Sequence, residues 1–194
     1  MNRHLASWQE TNTTGYTISA LEAVKSFLLI LGFTFLTALL AQVHLPLPFT
    51  PVPITMQTLA VLLAGAFLGP WRGGISQLLY LLWGVSGLPL FAGASTGLLI
   101  LAGPTGGYIL GFILAALFIG SAIRSAKGTF RIAMIFTLGT AMILLAGWIH
   151  LTLFYTGMNM ATAMTLGVLP FLPGAAVKIA AATFITIALK PSKR

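Results

Sequence analysis

Of the ten Lys and Arg residues in this chain, Lys178 alone lies deep within a long apolar stretch, Leu169-Pro170-Phe171-Leu172-Pro173-Gly174-Ala175-Ala176-Val177-Lys178. An ammonium in such surroundings costs roughly 2.5 to 3.5 kcal/mol on membrane-insertion scales, so its default reading is functional, with an anionic partner to be found. The bland alternative is a lysine that snorkels along its stem to an interface. The remaining reactive residues narrow the chemistry. Both carboxylates, Glu10 and Glu22, precede or open the first apolar run, which leaves no buried acid/base pair and no carboxylate for a metal. Cysteine is absent, as are His-Glu-x-x-His and Gly-x-x-x-x-Gly-Lys-Ser/Thr. No catalysis, resident metal or cofactor is expected, and an ATP-driven cycle would have to borrow its hydrolysis from another chain.

His150 is more commonly a hydrogen-bonded packing residue than a ligand or proton relay. Gln57 suits backbone between helices as readily as a ligand. Tyr108, Trp83 and Phe91 suit either a pocket wall or an interfacial aromatic belt.

The elements that must position these groups are set by composition. At 194 residues, 58% hydrophobic and 6% charged, with a mean hydropathy of +1.00, the chain cannot build a polar shell for a water-soluble globule. It reads as an all-α integral membrane protein, and about six spans of ~20 residues account for most of it. The net charge of +8 is explained by basic residues at span ends rather than by nucleic acid. Residues 1–20 are too polar for a cleaved signal peptide and are expected to form a cytoplasmic tail. The membrane domain is expected over 21–190, with a second tail at 191–194.

The first span is expected from about Leu21 to Gln42. Thr34 and Ala38, and Thr37 and Ala41, give it a small-residue face suited to bundle packing or, less commonly, to another subunit. Alternating prolines in His44 to Pro53 predict a stiff, non-helical loop. A second helix is expected over Ile54 to Leu68 and a third from about Trp71 to Trp83. The glycine-rich segment Val85 to Pro104 has few polar side chains, so Phe91 to Gly97 is expected to fold back over a site, where irregular backbone is tolerated. The fourth helix runs to about Ile123 and carries the close-packing motif Gly107 and Gly111, extended by Ala115. A basic loop, Arg124 to Arg131, precedes a fifth span that ends near Tyr155. A second uncharged loop, Thr156 to Leu172, precedes a sixth helix that begins at Pro173 and ends before Lys190.

With the amino terminus inside, Arg3, Lys25, Arg72, Arg124, Lys127, Arg131, Lys190, Lys193 and Arg194 all fall on the cytoplasmic side, and the outer loops contain no Lys or Arg. Six spans with both termini in the cytoplasm of a plasma (inner) membrane satisfy every loop at once. Helices two, four and six then begin outside, near Pro53, Pro104 and Pro173, and their free amides converge where an anion is favoured. Lys178 lies about five residues into the last of these, about 7 Å below its start. An outward-opening, positive, aromatic-walled pocket of this kind suits a small, partly apolar acid.

Four stretches, Pro51-Val52-Pro53-Ile54-Thr55-Met56-Gln57-Thr58-Leu59, Gly87-Leu88-Pro89-Leu90-Phe91-Ala92-Gly93, Gly103-Pro104-Thr105-Gly106-Gly107-Tyr108 and Phe171-Leu172-Pro173-Gly174 to Lys178, resemble the BioY family. That family comprises the biotin-specific substrate-binding components of energy-coupling factor vitamin transporters. The resemblance implies a six-helix bundle with apolar outer loops capping an outward-facing biotin site. It also implies a membrane coupling subunit and two cytoplasmic ATP-binding subunits as partners, although some members work alone. One position departs from the pattern Pro-Gly-Asp-x-x-Lys: the acidic place is Ala175, and the chain has no aspartate. That leaves Lys178 without a helical counter-ion and makes it more dependent on a ligand carboxylate. Together these readings give a substrate-binding set of Lys178, Gly174, Tyr108, Phe91, Ser95, Thr105 and Gln57. The alternatives are a transporter, solitary or coupled, for a related small vitamin or precursor, and a membrane assembly protein without transport activity. An intramembrane enzyme lacks acid/base residues, and a proton-coupled carrier would normally need intramembrane carboxylates.

Overall fold

The computed structural model describes residues 3–155 and 158–189, with side chains from Ser19 onward. The expected tail 191–194, Lys190, and Thr156 and Gly157 of the second uncharged loop lie outside the described residues. The architecture is helical: α1 (Arg3–Gln42), α2 (Gln57–Leu68), α3 (Pro70–Val85), the one-turn α4 (Leu99–Ala102), α5 (Gly106–Ala122), α6 (Thr129–Phe154), α7 (Met160–Gly167) and α8 (Leu172–Leu189). Among the described residues, three runs are long and apolar enough to cross a membrane: Ser19–Gln42, Thr129–Phe154 and Met160–Leu189. The helices α2 and α5 are shorter and apolar.

The polar leading segment continues α1 as backbone helix. It contains no proline, and extending a formed helix is far easier than nucleating one. The expected small-residue face of α1 turns inward: Thr34, Thr37, Ala38 and Ala41 are all buried. The hydroxyl of Thr34 donates to the Ser76 carbonyl (3.0 Å), and Gln77 Nε2 donates to Thr37 (3.2 Å), so this face belongs to the α1–α3 contact rather than to another subunit.

Close packing of α5 on α6 follows from the glycines. A Cβ on Gly107 would sit 2.2 Å from the Cβ of His150, and one on Gly111 would sit 3.1 Å from the Cβ of Ala146. At one end of the bundle, the α2–α3 turn at Gly69 (φ 80°) lies under the Arg124 guanidinium, which brings the turn that precedes Arg72 together with the start of the basic loop.

The opposite end is more structured than expected. Ile54 and Thr55 do not start α2; they pair antiparallel with Leu45 and His44 in a hairpin of two short strands joined through residues 46–53. The prolines between these strands remove the donors a helix would need. The expected loop after α6 is largely helical. Met160 to Gly167 form α7 because the run has no proline, and the Asn159 side chain accepts from the Thr162 amide (2.9 Å) as its N-cap. Trp148 Nε1 donates to the Met160 carbonyl (3.0 Å), which folds α7 back on α6. The segment after α3 does fold over the bundle: Gly97 N and Thr96 Oγ1 both donate to the Gly84 carbonyl (2.8 and 2.9 Å). Gln42 clamps that segment to α1, donating to the carbonyls of Leu90 (3.3 Å) and Phe91 (3.1 Å) and accepting from Ala94 N (3.0 Å).

Candidate functional site

Three helix starts meet around one cavity of about 270 Å³. The hairpin and α2 contribute Pro53, Thr55 and Gln57; the approach to α5 contributes Gly103, Pro104, Thr105 and Tyr108; α8 and the turn before it contribute Phe171, Ala175 and Lys178. The folded segment covers it with Phe91, Ala92, Ser95, Leu99 and Ile100, while α6 supplies Thr140, Ile143 and Leu144. The walls are mostly apolar with a few convergent polar groups, the usual make-up of a small-molecule site.

Lys178 is only 8% exposed, and its Nζ donates to the Thr55 carbonyl at 2.8 Å. An ammonium has three N–H donors, so this bond leaves capacity for an anion. No acidic side chain lines the cavity among the described residues, and Ala175, where the family resemblance expects a carboxylate, forms part of the wall. A carboxylic acid small molecule would therefore be the natural charge partner for Lys178.

Tyr108 and Phe91 form walls of the cavity. The hydroxyl of Tyr108 donates to the Gly167 carbonyl at 2.6 Å, its ring sits 6.1 Å from that of Phe171, and it fills the space a Gly147 side chain would need. Phe91 is 1% exposed and meets Tyr80 edge-on at 5.5 Å. Gln57 donates to the Tyr80 hydroxyl and accepts from Thr55 Oγ1 (2.9 Å), so its amide fixes both the α2–α3 pair and the hairpin end.

Lys178, Tyr108, Phe91, Ser95, Thr105 and Gln57 thus come together as the sequence suggests. Gly174 does not line the cavity; it lies beside the lysine stem, with Lys178 Cε about 3.9 Å from where its Cβ would be. A Cβ there would meet ordinary contact only, so the lysine stem does not require a glycine at this position. His150 takes the packing role: its Nε2 bonds the Gly103 carbonyl (3.0 Å), and its ring stacks on Phe154. Trp83 packs on Phe35 away from the cavity. Tyr80 and Thr140 were not expected at the cavity; Tyr80 sits within α3 and Thr140 within the long apolar α6, where no local motif marks either. The string Gly93-Ala94-Ser95-Thr96-Gly97 spells Gly-x-Ser-x-Gly, but it forms a turn rather than a strand-to-helix elbow, and Ser95 Oγ donates to the Ala92 carbonyl (2.8 Å).

The BioY family profile matches residues 9–194. A probable biotin transporter BioY of Pyrococcus horikoshii is 39% identical over 161 residues, covering 83% of this chain and 93% of its own. The biotin transporter BioY of Thermotoga maritima is 33% identical over 166 residues, covering 81% and 91%. Among solved structures, the S-component for biotin from an ECF-type ABC transporter superposes with a TM-score of 0.79 at 27% identity, covering 87% of this chain and 92% of that one. A site walled by hairpin, folded segment and three helix starts, in a chain matched along nearly its whole length, makes this protein a member of the BioY family.

Proposed function

We propose that this chain takes up biotin as the substrate-binding membrane component of an energy-coupling factor transporter. The observation that carries the reading is the buried ammonium of Lys178 on the wall of an apolar, aromatic-lined cavity, with no carboxylate beside it among the described residues. Biotin offers one carboxylate and an otherwise compact, largely apolar body, which matches that division of charge. Both relatives are named for biotin transport, and the solved neighbour is an S-component for biotin.

In this reading six helices span the bilayer, with α1, α2, α3, α5, α6 and α8 as the spans. The cavity faces outward, because Arg72, Arg124, Lys127 and Arg131 lie at or beyond the helix ends remote from it, and the segments around it carry no Lys or Arg besides Lys178. Lys178, Tyr108, Phe91, Ser95, Thr105 and Gln57 contact the substrate, and Gly174 lies beside the lysine stem. The chain has no nucleotide-binding loop, so energy comes from a membrane coupling subunit with two cytoplasmic ATP-binding subunits.

Uptake of labelled biotin by cells unable to make it, measured with and without a coupling module, tests both parts. Uptake by the chain that needs the module supports the full reading; uptake without it overturns the coupled mechanism. A purified protein that does not bind biotin at micromolar concentration overturns the substrate. One observation favours a second reading: the bare Ala175 wall also suits a related vitamin or precursor with a carboxylate and a less polar head. Competition titrations against biotin separate the two.

A further inference from the structure

Threonines within helices usually return their hydroxyl to the carbonyl four residues back. Thr34, Thr37, Thr137, Thr152, Thr165 and Thr183 all do so here, at 2.7 to 2.9 Å. Thr140 does not. It is 6% exposed, and its Oγ1 is buried without a hydrogen-bond partner among the described residues. It also lines the cavity, where the other α6 residues, Ile143 and Leu144, are apolar. Thr140 and Ala175 both border the groove between α6 and α8 as well as the cavity; the Thr140 oxygen is itself closed even to water, so a turn about χ1 is what would present the hydroxyl to a guest beside the residue that offers only a methyl group.

We infer that Thr140 is a specificity-determining residue whose hydroxyl bonds a neutral polar group of the bound substrate, a ureido N–H or carbonyl if the substrate is biotin as proposed above. A hydroxyl supplies one donor and two acceptor positions, so it serves either group. A buried hydroxyl left unpaired destabilises the protein that carries it, and a ligand that pairs with it recovers that loss on binding. Lys178 then holds the anionic end of the substrate, and Thr140 holds its neutral polar head.

The test compares biotin affinity and ligand-free thermal unfolding of the purified full-length chain with those of Thr140→Val, Thr140→Ser and Thr186→Val. Thr186 is the control because its hydroxyl is also buried and unpartnered but lies outside the cavity. Thr140→Val should weaken biotin binding by about tenfold while leaving the thermal midpoint unchanged or higher. Thr140→Ser should bind within about threefold of the unaltered protein, and Thr186→Val should bind as the unaltered protein does. If valine prevents folding, Thr140→Ala against Thr140→Ser gives the same contrast. Unchanged affinity in the valine or alanine variant overturns the inference, as does equal weakening in Thr186→Val or weakening that tracks a fallen thermal midpoint. If the unaltered chain binds biotin and Thr140→Val binds it equally well, this inference alone fails. If the unaltered chain binds no biotin, the substrate reading fails and this role fails with it.

Discussion

Replacing Lys178 with methionine keeps most of the stem and removes the charge. In the structure the ammonium is nearly buried and makes one described hydrogen bond, to the Thr55 carbonyl at 2.8 Å. A hydrogen bond to a charged group contributes about 1.5 to 3 kcal/mol, and breaking a buried ion pair costs about 3 to 5 kcal/mol when the surviving charge stays buried. Residual hydration of the substrate carboxylate recovers some of that, so a loss of about 2 to 4 kcal/mol is expected, or roughly 30- to 1,000-fold in Kd. The same substitution takes a poorly compensated cation out of an apolar wall, so ligand-free stability should hold or rise. The discriminating assay is a cycle of two proteins and two ligands, with biotin and its uncharged amide titrated into each protein in detergent or lipid nanodiscs. Lys178→Met should weaken biotin strongly and biotinamide little, because the amide has already lost the charge that the lysine recognises. Equal weakening of both ligands, or biotin binding within threefold of the unaltered protein, would refute the assignment of Lys178 to the carboxylate.

Gly107→Val should destabilise the α5–α6 contact by about 1 to 3 kcal/mol, since its new Cβ would fall 2.2 Å from that of His150; the thermal midpoint in detergent reads this directly. Tyr108→Phe removes the 2.6 Å bond to the Gly167 carbonyl and should cost about 1 kcal/mol of stability, with faster hydrogen exchange in α7 as its local signature. Gln42→Ala releases the carbonyls of Leu90 and Phe91 and the amide of Ala94, so residues 90–97 should exchange faster and biotin should dissociate faster, seen by mass spectrometry and stopped-flow release.

The helices were legible because uninterrupted apolar runs leave few alternatives, and the breaks at Gly69, Gly103 and Arg124 fall where proline, glycine or charge interrupts those runs. The meeting of three helix starts was legible because each is announced by a nearby proline. What escaped was structure within uncharged connections. The run that forms α7 contains ordinary helix formers, but its apolar flanks and the following prolines read equally well as an interfacial loop. Tyr80 was hidden for another reason: in a sequence rich in apolar residues, an aromatic inside a helix is indistinguishable from core until its hydroxyl finds Gln57. Thr140 has the same ambiguity, since threonine is common in membrane helices and only a missing hydrogen bond together with its place on the cavity sets this one apart. His150 met the more ordinary of the roles open to it, and Trp83 packs on Phe35 away from the cavity.

The bond from Lys178 to the Thr55 carbonyl has a consequence beyond charge recognition. An ammonium can hold a backbone oxygen and a guest carboxylate together, so arrival of the guest does not require the hairpin to let go. One nitrogen would then fasten three bodies at once: the last helix, the strand beside it and the cargo. Filling such a pocket stiffens the hairpin at its wall, so tight retention would come from slow escape rather than from rapid capture.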